Sequence, residues 1–128
     1  MVAVPISITA NQTGITTATD VTGATITWTT ISGRNYRINF QGQHQSGTAL
    51  SLLTILITDA TPTTYCTFQF QPTQNSTDYS FSGSFVFQAT SSASITRKLR
   101  VSSAGGTGRI SASATAPFQY WIEDIGTA

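Results

Sequence analysis

Apolar and polar residues alternate with a period of two along almost the whole chain, and turn-forming residues interrupt the alternation at intervals of roughly eight to twelve. The first predicted strand covers residues 4–9, and a weakly patterned one covers 15–19. Residues 24–30 place Ile26 and Trp28 on one face, and Ser32 and Gly33 make a turn. Tyr36, Ile38 and Phe40 then form an inward row with Arg37 and Asn39 outward. Residues 41–48 hold Gly42, Gly47 and the sole histidine, His44, and read as a polar loop. Residues 51–58 are apolar on both faces, as expected of a central or interface strand. After a turn at 59–62, Cys66, Phe68 and Phe70 alternate inward, and 71–77 is a loop containing Pro72. Tyr79, Phe81, Gly83, Phe85 and Phe87 make the longest single-face row, in which Gly83 signals a bulge or a close backbone approach. Ile95, Leu99 and Val101 mark a further strand, residues 104–108 read as a Gly-rich hairpin, and Ile110, Ala112 and Ala114 lead to the last strand.

About eight to ten short strands without a helical connector predict an all-β fold, an antiparallel β-sandwich forming a single domain over residues 1–128. The strand number favours a jelly roll over an immunoglobulin-like sandwich, whose Cys…Trp…Cys framework is missing. The predicted core is Trp28, Tyr36, Ile38, Phe40, Phe68, Phe70, Phe81, Phe85 and Phe87.

The final strand, residues 117–126, carries large aromatics on both faces. Phe118, Tyr120 and Ile122 point one way; Gln119, Trp121 and Glu123 point the other. One face is expected to fill the core. The other then meets a second surface, either a neighbouring subunit or a loop that closes over a satellite cluster. The expected subunit contacts are Leu52, Thr54 and Leu56 from the two-faced apolar strand, and Phe118, Tyr120, Trp121 and Ile122 from the last one, arranged around a closed symmetry axis.

Charged residues make up only 9% of the chain against the ~25% usual for soluble domains, yet mean hydropathy is +0.02. Ser, Thr, Asn and Gln supply the polarity, and Thr and the aromatics suit a pleated surface. A net charge of +1 gives no electrostatic case for nucleic acid or a membrane surface. The longest apolar stretch, 49–57, is far short of a membrane span, and the first residues do not resemble a signal peptide. Synthesis in a cytoplasm follows, in which the sequons at Asn11 and Asn75 carry no meaning. The single cysteine, Cys66, lies in an apolar row and reads as a buried, inert thiol.

Five acids and one histidine offer little for acid–base chemistry. Glu123 and Asp124 are adjacent on a strand and diverge, Asp59 and Asp78 sit where turn or capping roles are usual, and His44 reads as a surface histidine. One Cys and one His cannot complete a zinc site, and closely spaced carboxylates for calcium are lacking. The glycines at 105, 106 and 108 lack the Lys-Ser/Thr of a phosphate loop. No catalytic, metal or cofactor-binding residue is therefore expected, and no enzymatic activity. The sharper polar feature is Arg97-Lys98-Leu99-Arg100, in which Lys98 and Arg100 share a face. It reads either as a contact for an acidic partner or, the favoured reading, as an edge strand guarded by charge against aggregation.

The runs 21–29 and 33–38, the Ile-Thr-Asp at 57–59, Lys98-Leu99-Arg100, the Gly-Thr-Gly at 106–108 and the closing Glu123-Asp124-Ile125-Gly126 together resemble a family of small β-rich virion structural proteins of actinobacterial phages. These include head decoration and minor tail proteins, and the resemblance spans nearly the whole chain after residue 20. It implies a particle-surface protein that assembles with the major capsid protein or with tail proteins. The leading expectation is a homotrimeric capsid decoration protein. The runner-up is a minor tail or receptor-binding module that grips host cell-surface glycan through its loop tips.

Overall fold

The computed structural model describes residues 2–48 and 50–127; Met1, Ala49 and Ala128 lie outside the described residues, and with them the first residue of the apolar stretch 49–57. Ten strands follow in chain order: β1 (Ile6–Ile8), β2 (Gln12–Ile15), β3 (Thr19–Thr29), β4 (Arg34–Ser46), β5 (Leu53–Thr58), β6 (Thr64–Phe70), β7 (Tyr79–Gln88), β8 (Ser94–Ser103), β9 (Gly108–Ser111) and β10 (Phe118–Thr127). There is no helix among the described residues, and the strand pairings are antiparallel.

The first sheet is built on β4. β7 pairs along one of its edges, and β10 and β9 lie end to end along the other. β1 and β2 continue the sheet beyond β10 and β9. The second sheet has the order β3-β8-β5-β6. β1 with β2, and β9 with β10, are therefore two interrupted strands, and each sheet is four strands wide. From β2 to β9 the chain changes sheet at every step except the β5–β6 hairpin. This is the double Greek key of a jelly roll, as the strand number predicted.

The period-two pattern explains the core. Val21, Ala24, Ile26 and Trp28 of β3, Tyr36, Ile38 and Phe40 of β4, Leu53, Ile55 and Ile57 of β5, and Leu99 and Val101 of β8 are all buried between the sheets. Of the predicted core, Trp28, Tyr36, Ile38, Phe40 and Phe81 are buried, whereas Phe68, Phe70, Phe85 and Phe87 are half-buried. Their strands, β6 and β7, are the outermost strands of the two sheets on the same flank, so no further strand covers the seam between them.

Three sequence expectations need correction. Residues 41–46 are not a loop but the second half of β4. The inward positions after Phe40 are Gly42, His44 and Ser46, which alternate correctly but are invisible to hydropathy. Gly42 is small for a reason: a Cβ there would lie 2.5 Å from Cδ2 of Phe118. Residues 104–108 are not a hairpin, because β8 and β9 belong to different sheets and the glycines carry the chain across. Residues 15–19 hold the break between β2 and β3 rather than a strand of their own.

Candidate functional surfaces

The terminal strand divides its two faces between the core and the outside. Phe118, Tyr120 and Ile122 are 0% exposed within one chain, and the Tyr120 hydroxyl donates to the Arg97 carbonyl at 2.9 Å. Burial pushes that phenol well above its ordinary pKa. These three side chains have no surface left to give a neighbouring subunit, which corrects their assignment as contact residues. Trp121 is half-buried on the outer face of the first sheet. Its indole Nε1 donates to Glu123 Oε1 at 3.3 Å, and Asn39 Nδ2 donates to the same oxygen at 2.9 Å. A groove of about 270 Å³ lies on one side, lined by Asn39, Gln41, Ser82, Ser84 and the indole. A second, of about 240 Å³, is lined by Pro5, Gln41, Gln119 and the indole.

Glu123 and Asp124 diverge as expected. Arg34 Nε donates to both oxygens of Asp124, at 3.0 and 2.7 Å, and the guanidinium holds that carboxyl below its usual range. The β4–β10 register shifts between Asp124 and Gly126, whose φ is +93°, a left-handed value that favours glycine. The closing Glu-Asp-Ile-Gly is therefore a β-bulge pinned by Arg34.

On the second sheet, β8 lies between β3 and β5, so Lys98 and Arg100 do not guard an edge. They face outward around Asp20, each 3.1 Å from one of its carboxylate oxygens. Two cations thus share one anion. Across β5, Leu56 is paired with Arg100 and Thr54 with Ser102, and Leu52, Thr54 and Leu56 are all half-buried. Arg97 instead reaches the β6–β7 flank, with its guanidinium 4.2 Å from the Tyr65 ring centroid.

His44 is not a surface histidine. It is 2% exposed, with its ring centroid 5.1 Å from that of Phe81, 6.0 Å from Phe70 and 6.1 Å from Tyr79. Burial lowers its pKa, nearby Asp78 opposes that shift, and Nδ1 has no hydrogen-bond partner among the described residues. Asp78 accepts from Ser111 Oγ at 2.5 Å, with Arg109 Nη2 at 3.8 Å. Ser111 therefore serves Asp78 rather than His44, and the three do not form a nucleophile relay. The parity Phe40, Gly42, His44 was the signal that could have placed the histidine inside. Asp59 keeps the expected turn role, accepting from the Thr61 and Thr63 amides and the Tyr65 hydroxyl at 3.0, 2.7 and 2.9 Å. Cys66 is a half-buried free thiol, and no three His, Cys, Asp or Glu side chains converge as a metal site among the described residues.

No family model matches this chain, and neither does any curated protein. Among solved structures, VP2 of infectious bursal disease virus, in a subviral particle, superposes on 92% of the chain with a TM-score of 0.51 at 13% identity. The chain spans 31% of the length of that VP2 chain. Structures of the Gx and Gt strains of the same virus align over 92% and 96% of this chain and 31% and 38% of theirs, at 16% and 15% identity, with TM-scores of 0.39 and 0.40. The likeness to the subviral particle is one of fold.

Proposed function

We propose that this protein is a structural component of a virus particle: a head decoration protein, of the actinobacterial phage type its sequence resembles, that sits on the outer shell as a homotrimer. The carrying observation is a full jelly roll in which each of the five carboxylates is engaged in a structural contact. Asp20 holds Lys98 and Arg100, Asp59 its turn, Asp78 Ser111, Glu123 the Trp121 indole, and Asp124 Arg34. No two of them converge as an acid–base pair, which supports mechanical work as the proposed role. The shared fold with VP2 of a subviral particle supports placing the chain on a particle.

The trimer contact is assigned to Leu52, Thr54 and Leu56. These lie on the outer face of the second sheet, whereas Trp121 lies on the outer face of the first. Trp121 is left out of the contact because the outer faces of the two sheets point in opposite directions and only one of them can be turned toward the axis. Lys98 and Arg100, with one cation more than Asp20 neutralises, would meet acidic groups of the major capsid protein at the margin of that contact. Three linked attachments raise avidity without requiring any one to be strong. Assembly would take place in the host cytoplasm.

The runner-up, a tail module that grips glycan through the loops at 41–48 and 71–77, loses most of the first, since residues 41–46 are strand. The test is sedimentation of the purified protein with shells that lack it. Saturable binding to shells supports the proposal, and binding to tails but not to shells overturns it.

A further inference from the structure

We propose that the outer face of the first sheet around Trp121 is a binding site for a neutral, β-linked oligosaccharide. This inference does not rest on the virion reading and uses the face opposite the trimer contact.

The chemistry of the face selects the ligand. Register places Asn39 opposite both Trp121 and Ser84, and Gln41 opposite both Gln119 and Ser82. A row of side-chain amides therefore runs between a row of hydroxyls and the indole. Asn39 Nδ2 is given to Glu123 and Gln41 Nε2 to Gln119, and the remaining amide atoms and the serine hydroxyls still donate and accept, which matches the hydroxyl rim of a pyranose. The indole face matches the apolar C–H face of the same ring. No charged residue lines either groove beside the indole, which favours a neutral ligand over an ionic one.

A protein partner fits less well. The centre of a protein contact gathers aromatic and apolar residues and is poor in serine. Here one tryptophan stands among serines and amides, with Pro5 at one groove and the exposed Val86 a row away beside Arg37. Its orientation is fixed by Glu123, so little ordering is needed on binding. The grooves on either side of the indole share Gln41, and a linear chain laid across Trp121 would place one sugar on the ring and its neighbours in the grooves. β-Linked sugars with equatorial hydroxyls make the flat ribbon that such a sheet face accommodates.

The test follows the two indole N–H resonances of ¹⁵N-labelled protein while cellohexaose or chitohexaose is added to millimolar concentration. The Trp121 signal should move saturably with at least one of them, and that of Trp28, buried in the core, should stay in place. Trp121→Ala should weaken binding about tenfold or more while the sheet resonances remain those of the folded chain. If that variant does not fold, Trp121→Phe together with Gln41→Ala replaces it and should weaken binding likewise. Failure of both sugars to move Trp121, or binding that survives the substitutions, overturns the proposal. A Trp121 signal that shifts on dilution without sugar also overturns it, by making the face a subunit contact.

Discussion

Phe40 on β4 lies directly across from Gly83 on β7, and its ring fills the space a side chain at 83 would need: a Cβ there would stand 2.6 Å from Phe40 Cζ and 3.0 Å from Phe68 Cε1. The β4–β7 register runs through this position without a shift. Gly83 therefore marks close packing and not a bulge. Phe40 is 1% exposed and boxed in by Phe68, Phe70 and Phe81, so it has little room to yield.

Gly83→Ala should accordingly destabilise the fold by about 1–3 kcal/mol through overpacking. Urea unfolding checks this. An unchanged midpoint would mean that the Phe40 ring moves aside freely.

Aromatic truncations should separate the closed core from the open flank. Phe118→Ala removes a side chain that is 0% exposed and should cost ~3–5 kcal/mol. Phe85→Ala, on the half-buried β6–β7 seam, should cost clearly less, because part of that ring is already in contact with water. Equal losses in denaturant unfolding would show that the seam is sealed.

Stability should fall in mild acid because of His44. Its folded pKa is lowered from 6.5 by burial, so the unfolded chain takes up the proton first as pH falls. The contribution is fully present above 6.5 and is lost as pH drops through the folded value. Of the titratable groups near the ring, Asp78 and Tyr79, Asp78 only partly offsets the burial. Asp59, Asp78 and Asp124 are held below the usual carboxylate range, so their losses come at more acid pH. Thermal melts from pH 7 to 5 should show a slope that His44→Leu flattens. A variant with the same slope would place its origin elsewhere.

Much of the fold was legible because strand parity is local. The rows through Tyr36, Phe81 and Phe118 name their inward faces directly, and the turns at Gly33 and Asp59 carry their own chemistry. Other features depend on pairings between distant residues. Nothing near Lys98 tells that β8 is central, because that follows from β3 and β5 flanking it. The glycines at 105, 106 and 108 specify a turn but not that the next strand joins the other sheet. His44 was misplaced because its aromatic neighbours come from β6 and β7. The two-faced character of the last strand was legible, but not that Phe118, Tyr120 and Ile122 would be completely enclosed by their own chain.

Self-association should depend on the outer face of β5. Light scattering on the isolated protein is expected to give three times the 13.6 kDa chain mass at micromolar concentration. Leu56→Asp should reduce this to one chain mass while leaving the β-sheet circular dichroism intact, because Leu56 lies outside the core. A wild-type monomer would remove the trimer from the proposal.

The most direct measurement of the proposed role is electron cryomicroscopy of the native particle that carries this protein. Density fitting the jelly roll should appear on the outside of the head shell, in threefold clusters with the β3-β8-β5-β6 face turned toward the threefold axis. Jelly-roll density confined to the tail, with a bare head shell, would contradict it.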